Sequence, residues 1–270
     1  MVECYIPFLY TLRTRYNTTI NRISFFIITV FPSLFFVVIL KGFCLSILVD
    51  YFVMLLGMHS VYECGYLFND LVTVRYENNP TMRFTKEKAD GLLKHLQNML
   101  TLRLTVALFA TWYIVERYYV GSIVVPLMTV LLVVYTLHNF YRNRINIITM
   151  CFMVTLKYLI PCVPFVEESA LTEIFIFLFV SIPLLRTIEY AAKDRYGLKF
   201  LTICNYEVFR IKFYAIVVVM LSTAIYLNFV KAQYLVLPVC LFFFRVGTFF
   251  IMRNKRVSSV INANRKRNGI

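Results

Sequence analysis

Residues 43–68 read FCLSILVDYFVMLLGMHSVYECGYLF, and Asn69 and Asp70 follow directly. Asp50 and Glu63 are the only acidic or basic residues in this stretch, apart from His59. A helix of about 20 apolar residues is long enough to cross the hydrocarbon core of a bilayer. The stretch therefore predicts a membrane-spanning helix that ends in a polar pair.

Apolar stretches of the same kind recur along the chain, at 24–40, 99–116, 119–138, 146–166, 170–188, 208–229 and 232–252. The composition agrees, because 60% of the 270 residues are hydrophobic and 16% are charged, against about 25% charged residues in soluble domains. We therefore predict an all-α fold, a polytopic membrane bundle of eight or nine transmembrane helices. Its helices are expected to form two four-helix halves around a central cavity.

Two flanking segments complete the predicted organisation. Residues 1–23 carry Arg13, Arg15 and Arg22, and we expect a cytoplasmic amphipathic lead-in on the membrane surface. Residues 24–252 are the predicted transmembrane domain, and residues 253–270 are a basic cytoplasmic tail. The odd count of seven cysteines, without paired spacings, excludes a disulfide scaffold.

The net charge of +14 results from 28 Lys and Arg against 14 Asp and Glu. The basic residues concentrate in alternate loops and in the C-terminal tail, and such segments of membrane proteins face the cytoplasm. We therefore expect a multi-pass protein of the inner (cytoplasmic) membrane, with both termini and the polar loops on the cytoplasmic side. Topology accounts for the charge, so nucleic acid is not an expected partner.

The loop after residues 43–68 contains acids, an amide and basic residues that a plain connection does not need. Glu77 follows Asp70 by seven residues, so both carboxylates can share one face of a continued helix. With the amide of Asn69 they are hard oxygen ligands that suit Mg2+, and Arg83 suits phosphate oxygens. The structural alternative is that Asn69 and Asp70 end the helix while the basic side chains stay in water.

Polar residues also lie inside the predicted spans. His59 and Glu63 are four residues apart, and Asp70 follows Glu63 by seven, which predicts one inward-facing stripe. Lys157 lies about halfway along 146–166, and a charge at that depth usually faces a cavity. A functional role for Lys157 and a structural one, by snorkelling or by pairing with Asp50 or Glu63, both stay open.

Two further loops carry basic groups. Residues 185–197 include Lys193, Asp194 and Arg195, and they follow the stretch 170–188. That stretch comes four helices after 43–68, so the chain resembles an internal duplication. The loop between 119–138 and 146–166 adds Arg142 and Arg144 on the same predicted side of the membrane.

These loops resemble the two motifs of the UbiA superfamily of intramembrane prenyltransferases, in which a ninth helix is common. That family carries NDxxDxxxD after its second helix, and Asn69, Asp70 and Glu77 match the spacing, with Thr73 in place of the middle Asp. Pro80 and Arg83 resemble the proline and basic residues that trail the motif. The second motif, roughly DxxDxxGDxxxG, is similar to residues 187–197, where Asp194 and Gly197 match.

The second loop departs from the family in having lost acids and gained Lys193 and Arg195. This change resembles the branch that makes polyprenyl-phosphoryl phosphoribose from phosphoribosyl pyrophosphate and a polyprenyl phosphate. Thr155-Leu156-Lys157 is similar to the Leu-Arg of that branch. The resemblance implies Mg2+ on Asn69, Asp70 and Glu77, and catalytic roles for Asp70, Lys157 and Asp194. It further implies phosphate contacts from Arg83, Arg142, Arg144, Lys193 and Arg195.

Three functions follow as hypotheses. The favoured one is Mg2+-dependent phosphoribosyl transfer from phosphoribosyl pyrophosphate to polyprenyl phosphate. The second is conventional prenyl transfer from a prenyl diphosphate to an aromatic or lipid acceptor. The third is a non-catalytic relative that binds or transports lipids, which Thr73, Thr187 and Tyr190 at acidic positions of the motifs indicate.

Overall fold

The computed structural model describes residues 2–16, 18–76, 82–141 and 143–253. Within these ranges the chain is helical and has no strand, which confirms the all-α prediction. The helices are α1 (Leu9–Thr14), α2 (Thr19–Phe25), α3 (Phe31–Lys41), α4 (Leu45–Leu71), α5 (Lys86–Leu93), α6 (Leu96–Tyr118), α7 (Gly121–Phe140), α8 (Ile145–Leu159), α9 (Glu168–Ser181), α10 (Pro183–Ala191), α11 (Tyr206–Tyr226) and α12 (Val236–Arg253).

Six helical segments of the described chain are long and apolar enough to cross a membrane, and each coincides with a predicted stretch. They are Thr19–Lys41, Leu45–Tyr76, Leu96–Tyr118, Gly121–Phe140, Tyr206–Tyr226 and Ala232–Ile251. Helices α9 and α10 supply a seventh segment if the bend of 41° between them lies within one span. Helix α8 has 15 residues, fewer than a full crossing needs. The protein is thus a multi-pass helical membrane protein, while the count of eight and the side of each loop stay predictions.

The chain divides into two compact units, unit 1 up to Glu168 and unit 2 from Ser169. Unit 1 contains the first five predicted stretches and unit 2 the last three. The arrangement of two four-helix halves around a cavity therefore stays a prediction. Most of the predicted tail 253–270 lies outside the described residues.

The first span contains a proline whose missing N–H is compensated from other helices. Pro32 cannot donate to the carbonyl of Ile28, four residues earlier. The hydroxyl of Tyr158 on α8 donates to that carbonyl instead, at 2.8 Å. The hydroxyl of Tyr51 on α4 donates to the carbonyl of Val30 at 3.0 Å. Since lipid offers no hydrogen bonds, these tyrosines let a span with a π-helical turn exist in a bilayer.

Helix α4 forms the centre of unit 1 and packs on α6 and α7. A Cβ atom on Gly57 would lie 2.8 Å from the Cβ of Ala110, and one on Gly65 would lie 2.1 Å from the Tyr135 ring. The two glycines therefore let α6 and α7 approach α4 closely. Small residues commonly have this role in membrane helices, where van der Waals packing drives association.

Asp50 is satisfied near the start of α4. Its carboxylate accepts hydrogen bonds from the hydroxyls of Tyr113 at 2.8 Å and Tyr118 at 2.6 Å. The Nε of Arg117 lies 2.6 Å from the same carboxylate. Asp50 thus ties the start of α4 to the end of α6, a structural role.

In unit 2, α11 and α12 pack along each other. The ring of Phe177 on α9 stacks on Tyr234, with centroids 4.5 Å apart. Asn205 caps α11, because its side-chain oxygen accepts from the backbone N–H groups of Glu207 and Val208.

Candidate functional site

The N-terminal segment lies inside unit 1 against the end of α4. Tyr10 and Cys4 belong to a buried cluster with Leu67 and Leu71 of α4 and Leu92 of α5. Burial of these side chains away from water and lipid headgroups fixes α1 in place. The amphipathic pattern of residues 1–23 did not predict this burial.

Asp70 accepts hydrogen bonds on both carboxylate oxygens. Arg15 approaches in a fork, with one nitrogen 2.9 Å from Oδ2 and the other 3.0 Å from Oδ1. The Tyr10 hydroxyl donates to Oδ2 at 2.6 Å. Burial and the nearby Asp70 carboxylate raise the pKa of Tyr10, so its hydroxyl stays protonated and donates. This bidentate geometry is typical of strong arginine–carboxylate pairs.

A second guanidinium lies within electrostatic range of this pair. Arg83 is half-buried, and burial together with the positive charge of Arg15 lowers the pKa of Arg83. The guanidinium of Arg15 lies 3.6 Å from the centroid of the Tyr66 ring. We call Arg15, Arg83, Asp70, Tyr10 and Tyr66 the Arg15 cluster. These five residues include two guanidiniums and one carboxylate, so together they carry a net positive charge.

A buried ion pair lies deeper along α4. Glu63 and Arg103 are both completely buried, and two guanidinium nitrogens lie 3.2 and 3.3 Å from Oε2 of Glu63. The backbone N–H of Thr11 donates to Oε1 of Glu63 at 2.9 Å. His59 lies beside them, with Phe8 stacked on its ring at 4.1 Å. The predicted inward stripe of His59, Glu63 and Asp70 is therefore confirmed as buried.

Lys157 lies in α8 and is 8% exposed. Its Nζ lies 5.1 Å from the centroid of the Tyr62 ring and 5.8 Å from that of Phe25. Tyr62 in turn contacts Tyr66 edge to face, with centroids 5.2 Å apart. Aromatic rings thus connect Lys157 to the Arg15 cluster.

Two apolar cavities lie along α4, α6 and α7. One, of about 270 Å³, is near the Asp70 end of α4 and is lined by Gly65, Tyr135 and Asn139, among others. The other, of about 360 Å³, continues toward Trp112, and both include Leu104 and Leu132 in their lining. Tyr135 also contacts Tyr62 and Tyr66 edge to face. This one ring therefore lies between the first cavity and the Arg15 cluster.

Two of the three predicted Mg2+ ligands, Asn69 and Asp70, are engaged by protein groups in this arrangement. Both oxygens of Asp70 are engaged by Arg15, and Oδ1 of Asn69 accepts from Thr73 at 3.0 Å. A guanidinium in contact with a carboxylate takes the place that a divalent cation needs. In the described part of the chain no group of three His, Cys, Asp or Glu residues could hold a metal ion. Glu77, the third predicted ligand, lies outside the described residues.

The second predicted loop lies in unit 2, at the end of α10. Lys193, Asp194 and Arg195 are all exposed there. Arg195 donates to the hydroxyls of Tyr190 and Tyr196, and Nζ of Lys193 lies 4.5 Å from the centroid of the Tyr190 ring. The two cations are thus held together over aromatic rings, while Asp194 begins the short turn Asp194–Tyr196.

The remaining predicted phosphate contacts lie between α7 and α8. Arg144 is exposed at the start of α8. Arg142 lies outside the described residues.

Sequence reasoning missed the partners of the buried acids. Arg15 and Asp70 are 55 positions apart, and Arg103 and Glu63 are 40 apart. An arginine within an otherwise apolar stretch was the available signal for Arg103, since such a residue needs a buried partner. No comparable signal pointed to Arg15, which lies among other basic residues.

The fold and these clusters define a helical, multi-pass membrane protein with buried charge networks along α4. No protein-family model, curated protein or solved structure matches the chain.

Proposed function

We propose that the protein is a membrane-embedded transferase that acts on a polyprenyl lipid phosphate, with phosphoribosyl pyrophosphate as the favoured donor. The observation that carries this proposal is the position of Tyr135, between an apolar cavity of about 270 Å³ and the net positive Arg15 cluster. A lipid phosphate has the matching chemistry, because its chain is apolar and its head is an oxyanion. The resemblance to the UbiA superfamily supports the same substrate class.

In the proposed reaction, a phosphate oxygen of the lipid attacks C1 of the ribose. The bond between C1 and the diphosphate breaks, and diphosphate leaves with the bonding electrons. Arg83 would neutralise the charge that develops on the leaving diphosphate, as preorganised cations do for developing oxyanions. Lys157 would attract the lipid phosphate. By the resemblance, Lys193 and Arg195 would contact donor phosphates, and Arg142 and Arg144 would add further contacts.

Because Asp70 is paired with Arg15, its role in the proposed reaction is to position that guanidinium. With Arg15 on both oxygens, Asp70 positions a guanidinium beside Tyr66. Since protein groups engage Asn69 and Asp70 in this arrangement, no step is assigned to Mg2+. Asp194 remains the proposed catalytic residue of the second loop.

A specific observation favours one other function. If Asp70 permanently holds Arg15, the motif serves structure, and the protein binds or transports a lipid without chemistry. Conventional prenyl transfer is the remaining alternative, and a single assay distinguishes all three.

Purified protein in liposomes receives labelled phosphoribosyl pyrophosphate with polyprenyl phosphate, or labelled prenyl diphosphate with 4-hydroxybenzoate, each with and without Mg2+. We expect label in the lipid from the phosphosugar only, and its loss in Arg83→Gln. The control variant Lys212→Gln removes an exposed cation of α11 and should keep full turnover. Label from the prenyl diphosphate alone would assign conventional prenyl transfer. No transfer by folded protein in either reaction would overturn the transferase proposal.

A further inference from the structure

Unit 2 contains a group of charged residues that the proposed function does not use. Arg186 and Glu189 come from α10, Glu207 and Arg210 from the first turns of α11, and Arg245 from α12. Arg186 lies 3.1 Å from Glu189, and Arg210 contacts both Glu189 and Glu207. Three guanidiniums and two carboxylates leave one positive charge in excess.

Arg245 is the residue that this network leaves incompletely paired. It is 5% exposed within an apolar helix, and its Nε is buried with no hydrogen-bond partner in the part of the chain that the structure describes. Arg186, Arg210 and Glu207 lie within electrostatic range of it. Charged residues within membrane helices are costly, and they usually mark a ligand site or an ion path.

The carboxylate of Glu207 competes with an external anion for Arg245. Oε2 of Glu207 is buried and also lacks a hydrogen-bond partner among the described residues. A rotation that joins Arg245 to this oxygen would satisfy one donor of a guanidinium that has five. The network would still hold three cations against two anions. A group with several acceptor oxygens and its own negative charge satisfies Arg245 better than Glu207 does.

The positions of Arg210 and Arg245 along their helices bear on the kind of anion. Arg210 is the fifth residue of α11, about 7 Å from the helix start at 1.5 Å per residue. Arg245 precedes the end of α12 by eight residues, about 12 Å. In a helix that crosses a membrane, residues this near to an end approach the headgroup region, where lipid phosphates lie. Arg186 and Arg210 keep 31% and 18% of their side chains exposed, so the cluster is open to an anion on their side.

We propose that Arg186, Arg210 and Arg245 form a binding site for a phosphate group, carried by a lipid headgroup or free in solution. Arginine forks match the geometry of phosphate oxygens. The site lies wholly within unit 2 and does not depend on the transferase proposal. Bound phosphate would give Arg245 the acceptors that it lacks and would cancel the excess charge.

The test measures binding to the full-length protein in neutral detergent, in an Arg83→Gln, Lys193→Gln and Arg195→Gln background, which removes three of the phosphate contacts proposed above. Titration calorimetry with inorganic phosphate and with short-chain phosphatidic acid distinguishes a free anion from a lipid headgroup. We expect Arg245→Gln to weaken binding by about tenfold or more, as the loss of hydrogen bonds to a charged group does. Lys212→Gln, at an exposed position of α11, is the matched control and should bind as its parent.

Glu207→Gln separates a ligand site from an internal ion pair. If phosphate and Glu207 compete for Arg245, this substitution tightens phosphate binding. If the only role of Arg245 is an internal ion pair with Glu207, the variant loses stability and its phosphate affinity does not change. That result would overturn the proposal. Equal affinity of Arg245→Gln and its parent, or no binding of either probe, would overturn it as well. If Arg245→Gln does not fold, Arg245→Lys, which keeps the charge but loses the fork, replaces it with the same expected direction.

Discussion

The pairing of Arg15 with Asp70 leads to a prediction for Asp70→Asn. Removing one partner of a buried ion pair costs about 3–5 kcal/mol of stability. The Arg15 side chain keeps 14% of its surface exposed, and asparagine keeps one acceptor oxygen, so we expect about 3 kcal/mol, at the lower end. At about 2–4 °C per kcal/mol for a domain of this size, the midpoint of thermal unfolding falls by about 6–12 °C.

A double-mutant cycle with Arg15→Gln isolates the interaction. Residues that share an ion pair show coupling energies of about 0.5–3 kcal/mol. We expect about 2 kcal/mol, because the geometry is bidentate and largely buried. Asp90→Asn is the matched control: Asp90 pairs with Arg75 at the surface, with 47% and 39% of the side chains exposed, and such pairs contribute less than about 1 kcal/mol.

The assay is thermal unfolding of purified protein in one detergent, followed by intrinsic fluorescence, with and without Mg2+. Mg2+ should leave the wild-type midpoint unchanged, since Arg15 engages both oxygens of Asp70. Additive effects of the two substitutions would refute the reasoning. So would stabilisation by Mg2+ that the wild type shows and Asp70→Asn lacks, because Asp70 would then bind metal and not Arg15.

Three further substitutions test the packing of unit 1 by the same unfolding measurement. Gly65→Ala should destabilise the protein by about 1–3 kcal/mol, because its Cβ would clash with the Tyr135 ring. The control Gly91→Ala has nothing within 4 Å of its Cβ and should be neutral or stabilise the protein by up to about 1 kcal/mol. Equal effects of the two substitutions would contradict the close approach of α7 to α4. Arg103→Met should cost about 3–5 kcal/mol because Glu63 stays buried without its cation, and a stable variant would show that Glu63 is protonated. Tyr158→Phe should cost about 1–3 kcal/mol through the unsatisfied carbonyl of the first span, and an unchanged midpoint would show that this carbonyl has another donor.

The sequence predicted the spans well because hydropathy is a local property summed over a long window. It predicted the burial of His59 and Glu63 for the same reason, since residues on one face of a single helix share their surroundings. The count of spans was harder to predict, because the bend before Pro183 and the short helix α8 depend on packing. The partners of the acids could not be predicted, since a contact across 55 positions depends on how helices meet in space.

The position of Arg15 in the chain has a consequence for biosynthesis. Arg15 is made before Asp70, and at about 5–20 residues per second the ribosome needs roughly 3–11 s to add the 55 residues between them. During this interval Arg15 has no Asp70 to bind, although Glu63, which accepts a hydrogen bond from the backbone N–H of Thr11, is already made. The ion pair that holds the N-terminal segment against the end of α4 therefore forms only after the whole of α4 has been made.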